Sequence, residues 1–314
     1  MYSIFDIALD SDIQLPELSD IEIADYVITI KSGNTTQDIP DQPNWFHQLD
    51  DSAGKQWLSC SKLDDVYLLR FSGIADFTIS QSYKSIQYYS EPGVTPETIR
   101  HLLLDQIIPR ILGQQGRLVL HASAVVLPEG ISVAFIGPSG RGKSTLASSF
   151  HENRATLITD DCLLLDEKDG KFIGIPNYFG VRLFDDSALA IFGQEFEKSP
   201  VAEYSSKSRL RLPKSKIGSH YMNSPLSVLF LLSDHAATDS DGEEIIISPI
   251  SGAKELMSII RQSFILDVTD KALIKKQFEI IGNLVKSDIK MFNLQYPRIH
   301  SYLPLVRSKI NSVL

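Results

Sequence analysis

The chain has 314 residues, of which 43 % are hydrophobic and 22 % charged, and a formal net charge of −9. Those fractions exclude disordered and fibrous classes, and the length favours one large domain with a smaller attachment, or two domains. The charge is uneven: residues 1–95 carry 15 Asp/Glu against 5 Lys/Arg, a net of −10, and residues 96–314 carry 24 against 25, a net of +1, so nucleic acid is not an expected partner of the acidic part, whereas a basic one would be steered to it.

Met1-Tyr2-Ser3-Ile4-Phe5-Asp6 has no basic n-region, and Asp6 and Asp10 interrupt its apolar stretch, so no signal peptide is expected. Residues 1–90 read as short strands between turns. Ile21 to Ile30 alternates loosely, Ser32-Gly33-Asn34 is a turn, and Val66-Tyr67-Leu68-Leu69-Arg70-Phe71 is a compact apolar run. A small β-rich domain over 1–95 is therefore expected. Thr95 is placed to cap a helix, with Pro96 at its first position and Glu97 in its first turn. Ile99, Leu102, Leu103, Gln106 and Ile107 form its stripe, Pro109 should bend its end, and Gly113 and Gly116 should terminate it.

A second domain over 96–314 then shows strands, loops and helices in succession. A strand runs over Leu118 to Val126 and another over Ile131 to Ile136. The pattern continues with a helix from about Gly142 to His151, a strand through Ala155 to Thr159, and a hairpin turning at Glu167-Lys168-Asp169-Gly170. Near the C-terminus Thr269 should cap a helix over Asp270 to Lys286 with Leu273, Phe278, Ile281 and Val285 inward, followed by a strand over Ile289 to Leu294. The class is α/β. Cys60 and Cys162 are the only cysteines, too few for a disulfide scaffold, which fits a reducing cytoplasm. No apolar run approaches the roughly 18 residues that a membrane span requires, so no membrane partner is expected.

Gly137-Pro138-Ser139-Gly140-Arg141-Gly142-Lys143-Ser144 fits G-x-x-x-x-G-K-[ST] in full, directly after the apolar strand and before Thr145-Leu146-Ala147. Glycines let backbone N–H groups converge on phosphate oxygens, and the helix N-terminus adds donors and the positive end of its dipole. Lys143 can reach between the β- and γ-phosphates of ATP, and the Ser144 hydroxyl can ligate the bridging Mg²⁺. Asp160-Asp161 follow the apolar run Leu157-Ile158-Thr159, where a neighbouring strand would deliver two acids to the same sheet edge. One can hold Mg²⁺ and the other accept the proton of an attacking hydroxyl. Asp160 is the preferred base and Asp161 the preferred metal ligand, with the reverse kept open. His121, on the strand before the loop strand, is by itself an ordinary structural histidine. Lys207-Ser208-Arg209-Leu210-Arg211 is a basic segment able either to stabilise a transferring phosphoryl group or to face water.

The ordered set Leu120-His121-Ala122-Ser123-Ala124, then Gly137 to Ser144, then Thr159-Asp160-Asp161 resembles the catalytic domain of HPr serine kinase/phosphorylase. It looks closest to the HPr-kinase-like proteins of bacterial peptide gene clusters, including those that phosphorylate lasso-peptide precursors. Phe179-Gly180-Val181-Arg182-Leu183-Phe184 and Leu294-Gln295-Tyr296-Pro297 also look like that branch. The resemblance spans roughly residues 96–314. It implies a P-loop kinase fold shared with the core of phosphoenolpyruvate carboxykinase, in which helices flank a mixed sheet. It places His121 in the active site beside the aspartates and implies phosphate or acceptor contacts for Arg182. The family's Glu-x-Arg-Gly-Leu-Gly segment has no glutamate here, so the implied acceptor is a Ser/Thr hydroxyl of a peptide or small protein rather than HPr itself. Relatives commonly form rings of identical chains, so a homo-oligomer is compatible. A kinase of small-molecule hydroxyls and a non-catalytic ATP-binding module are the rival readings.

Overall fold

The computed structural model describes residues 1–314 except 23, 34–38, 52, 179, 194–196, 211–223, 234–243 and 251. Asn34, Phe179 and Arg211, which the sequence singled out, lie outside the described residues.

Among the described residues, nine strands occupy the N-terminal part: β1 (Tyr2–Ile4), β2 (Ile7–Ser11), β3 (Ser19–Asp20), β4 (Val27–Ser32), β5 (Trp45–Asp50), β6 (Gln56–Lys62), β7 (Val66–Phe71), β8 (Ala75–Ser80) and β9 (Ser85–Ser90). They form one sheet in the order β3-β1-β2-β4-β9-β8-β7-β6-β5, parallel only at β2·β4 and β4·β9. The strand expected over Ile21 to Ile30 begins only at Val27. Alternation buries one side of β4 at Ile28 and Ile30 and of β8 at Ala75, Phe77 and Ile79. That side packs on α1 (Pro96–Leu102) and α2 (Ile108–Gln114), so Ile99, Leu103, Ile107 and Ile111 share a core with Leu58, Leu69 and Phe77.

Thr95 and Pro96 start α1 as the sequence expects, but the Thr95 side chain caps no backbone group. Pro109 does not bend the end of the helix. Five residues of π-helix, Leu103–Ile107, precede it, and Pro109 sits in the first turn of α2, where its missing N–H is tolerated. Gly113 does not terminate the helix either but lies inside α2, where a Cβ would come 2.0 Å from the Phe264 carbonyl oxygen. Gly116, with φ +82°, follows the helix end.

The second sheet contains β10 (Leu118–Val126), β11 (Ser132–Ile136), β12 (Thr156–Thr159), β13 (Cys162–Lys168), β14 (Lys171–Ile175), β18 (Leu226–Leu232), β19 (Ile246–Pro249) and β20 (Lys290–Gln295). Between β14 and β18 a small sheet of β15 (Val181–Leu183), β16 (Lys198–Pro200) and β17 (Ser208–Leu210) is inserted. The main order is β14-β13-β10-β11-β18-β20-β19, with β12 also on β10. Pairing is parallel across β11·β18·β20 and antiparallel at β10·β11 and β19·β20, the mixed sheet that was expected.

Both faces of this sheet are covered. Val133 and Phe135 of β11 and Phe230 of β18 turn to α3 (Lys143–Glu152) and α7 (Leu303–Asn311), where Phe135 stacks on Phe150 and Phe230 with ring centroids 5.8 Å and 6.0 Å apart. Such pairs add about 0.5–1.5 kcal/mol beyond area burial. Ala134 and Ile136 turn to α5 (Ala253–Arg261) and α6 (Lys271–Lys286). Helix α4 (Asp185–Phe192) packs beside α3.

In α6 two expectations fail. Asp270, not Thr269, is the N-cap, accepting from Ala272 N and Leu273 N. Phe278 is 45 % exposed, and the buried position is Gln277, whose amide donates to the carbonyls of Gly113 and Arg117. Among the described residues no helix is long and apolar enough to cross a membrane.

Candidate functional site

Strand β11 lies between β10 and β18, so the chain leaves the carboxyl end of a central strand at Gly137 and enters α3 at Lys143. That is where open α/β sheets hold ligands. Gly137 (φ +146°), Gly140 (φ +77°) and Gly142 (φ +89°) take left-handed conformations that side chains disfavour. A Cβ on Gly137 would lie 2.7 Å from Leu232 O and one on Gly142 2.7 Å from the Tyr296 hydroxyl, whereas Gly140 faces open space. Arg298 donates to Gly140 O at 3.0 Å. Lys143 folds back over the loop and donates to the carbonyls of Gly137 (2.8 Å) and Pro138 (3.1 Å). Burial pushes its ammonium down to about 8, against the pull of Asp161.

The aspartates stand at the junction of β12 and β13. Asp161 takes φ +77°, uncommon for a residue with a Cβ, and this step separates the two carboxylates. Asp160 is 4 % exposed, accepting from the Ser123 hydroxyl (2.7 Å) and the Arg182 backbone N–H (2.9 Å). Asp161 Oδ1 lies 2.8 Å from His121 Nε2 and Oδ2 lies 3.2 Å from Arg182 Nη1. Burial would raise the Asp161 carboxyl, but Arg182 and then His121 hold it well below the usual carboxylate range.

A cavity of about 250 Å³ joins these groups. Ser139, Gly140, Gly142, Lys143, Ser144 and Thr145 form one wall, and His121, Asp161, Arg182 and Lys207 form another. Phe184, Asp186, Ser187, Tyr296, Arg298, Ile299 and His300 also line it. Gly137, Pro138 and Arg141 belong to the loop without lining the cavity.

Two expectations do not fit this placement. The division of labour between Asp160 as base and Asp161 as metal ligand needs both carboxylates in the cavity, and only Asp161 is there. Arg209, expected as a phosphate or acceptor contact, does not line the cavity: it is buried against Glu17 and over the Tyr178 ring.

Sequence reasoning missed Arg298 and His300, which follow Tyr296-Pro297, and the role of the Ser123 hydroxyl, two residues after His121 on β10. It also missed Asp105, although an acid within Leu102-Leu103-Leu104-Asp105-Gln106-Ile107-Ile108 is a visible anomaly. Magnesium is ordinarily held by few protein oxygens together with phosphates and waters. The Ser144 hydroxyl, with phosphate oxygens and water, fits that chemistry, and the Asp161 carboxylate adds negative charge in the same cavity.

No family model matches the chain, and no curated protein matches it. Among solved structures it is similar to that of the Hpr(Ser) kinase/phosphatase from Coxiella burnetii, at 13 % identity and a TM-score of 0.32, over 62 % of this chain and 94 % of that one. A likeness so slight fixes neither fold nor activity. The loop, the aspartates and the cavity must stand by themselves.

Proposed function

We propose that the chain is an ATP-dependent kinase that transfers the γ-phosphoryl group to a Ser or Thr hydroxyl of a peptide or small protein. The observation that carries this reading is a single cavity shared by the glycine loop, Lys143 and Ser144 on one side and Asp161, His121 and Arg182 on the other. Loop amides and Lys143 hold the phosphates, and Ser144 with the nucleotide's own oxygens would hold Mg²⁺. Such a metal would supply charge neutralisation for the phosphates.

Asp161 takes the proton. Its carboxylate is held ionised, each oxygen has a lone pair beyond its present partner, and the acceptor hydroxyl can donate there. As the hydroxyl oxygen bonds to the γ-phosphorus, the bond to the bridging oxygen breaks, ADP leaves and the proton goes to Asp161. The transition state is loose, so the hydroxyl proton leaves late and a strong base is not required. Arg182 and Lys207 add positive charge where the phosphoryl oxygens gather.

A chain as acceptor is supported by the apolar rim, where Phe184 and Ile299 line the cavity and remain 43 % and 57 % exposed. Buried, unbridged Cys60 and Cys162 fit a reducing cytoplasm. The test is mass spectrometry of small proteins and peptides incubated with the protein, ATP and Mg²⁺. Expected is one added phosphate on Ser or Thr, abolished by Lys143→Ala. Phosphate appearing only on metabolites would remove the peptide acceptor, and ATP binding with no transfer to any cell component would remove the kinase.

A further inference from the structure

Between α1 and α2 the π-helical turn carries Asp105. Such turns recur at functional positions. The Asp105 side chain is completely buried, and Arg182 Nη1 (2.5 Å), His101 Nδ1 (2.7 Å) and the Tyr178 hydroxyl (2.8 Å and 2.9 Å to its two oxygens) surround its carboxylate. Burial would raise this carboxyl, yet Arg182 and His101 hold it below the usual range. It is a buried charge with full compensation, which a merely structural helix position does not need.

Arg182 connects it to the site. The same Nη1 that meets Asp105 lies 3.2 Å from Asp161 Oδ2, and Nη2 donates to the Asp160 carbonyl at 3.0 Å. Arg182 and Asp161 line the cavity and Asp105 does not. Arg209 Nη2 stands 4.0 Å from Asp105, because Nη1 of Arg209 is held by Glu17, which also accepts from Arg100 Nε at 3.0 Å. Glu17, whose side chain is 5 % exposed, belongs to the N-terminal part, so that part reaches the edge of the site.

We propose that Asp105 is a positioning residue for phosphotransfer: it fixes the Arg182 guanidinium against Asp161, while Glu17 keeps Arg209 from taking Arg182's place. The inference rests on the kinase reading above. With one carboxylate alone, Arg182 would move with Asp161 or follow the nucleotide's phosphates. Clamped between two, it leaves Asp161 oriented for the acceptor hydroxyl.

Asp105→Asn keeps size and removes charge. Its kcat is expected to fall about 10- to 100-fold, the scale of a small misplacement at a reacting centre, with the KM for ATP within about twofold because the loop is untouched. Arg182→Met removes the guanidinium nearest the buried Asp105 carboxylate and leaves it only His101 and Tyr178 as close partners, so its Tm should drop. Adding Asp105→Asn to it should recover much of that Tm and lower kcat no further, as expected for residues acting as one unit. Folded Asp105→Asn with wild-type kcat, or losses that add in the double variant, would overturn the proposal. If Asp105→Asn alone does not fold, the double variant against Arg182→Met decides, and absence of Tm recovery overturns it. Wild-type protein that transfers no phosphate sinks the kinase reading instead, and is told apart because the Tm coupling of Asp105 to Arg182 would persist.

Discussion

His121 Nε2 and Asp161 Oδ1 lie 2.8 Å apart although 40 positions separate the residues in the chain. The contact exists because β10 pairs with β13 at His121 and Cys162, one residue past the aspartate. If Asp161 takes the acceptor proton, Asp161→Asn should lower kcat by about 10²–10⁴-fold, the range for a general base. His121→Ala should lower it less, about 10- to 100-fold, because Arg182 still holds the other carboxylate oxygen. Steady-state kinetics beside a nucleotide titration would check both, and full turnover by Asp161→Asn would remove the assigned base.

Lys143 gives a pH-dependent signature. Burial lowers its ammonium from 10.5 to about 8 in the nucleotide-free protein. Phosphates beside it favour the charged form, so binding raises that value again. Nucleotide binding should therefore take up a proton on Lys143 at about pH 9, where the free protein holds it neutral, and much less at about pH 7, where it is already charged. By the same sign, the nucleotide-free fold gains stability as the pH rises from about 8 towards the ordinary lysine value, because the unfolded chain then binds the extra proton. Calorimetry in buffers of different ionisation enthalpy reads the uptake. Equal protonation at both pH values would mean that the lysine does not meet the phosphates.

Much of the site was legible because its residues are contiguous. Gly137 to Ser144 need only a strand before and a helix after, and periodicity supplied both to within a residue or two. Asp160 and Asp161 were legible as acids, and two roles were assigned to them, but the left-handed turn at Asp161 that sends their carboxylates to different surroundings was not read from the sequence. The network of Glu17, Asp105, Tyr178, Arg182 and Arg209 was invisible because four chain segments distant in sequence assemble it. Gln277 was misread because periodicity awards the inward position to the apolar neighbour, while the fold uses its amide for the carbonyls of Gly113 and Arg117.

Gly113 tests whether helix propensity or packing governs α2. Alanine would favour an isolated helix by about 1 kcal/mol over glycine. Here its Cβ would sit 2.0 Å from a backbone oxygen, that of Phe264, which cannot rotate away. Gly113→Ala should therefore destabilise the protein, by about 1–3 kcal/mol for an overpacked site. Urea unfolding gives the value, and a stabilised variant would show that the Phe264 segment yields.

The start of α6 offers a sharper contrast. Asp270 accepts from the amides of Ala272 and Leu273, both at 3.0 Å. The Thr269 hydroxyl instead donates to Asp267 at 2.6 Å, whose other oxygen receives the Tyr67 hydroxyl of the N-terminal sheet at 3.3 Å. Asp270→Ala should cost about 1 kcal/mol and Asp270→Asn almost nothing, since asparagine caps equally well. Amide exchange at Ala272 and Leu273 should quicken in Asp270→Ala and stay unchanged in Thr269→Val, whose loss falls on the Asp267 carboxylate. Quickened exchange of that first turn in Thr269→Val would return the cap to Thr269, the residue the sequence favoured.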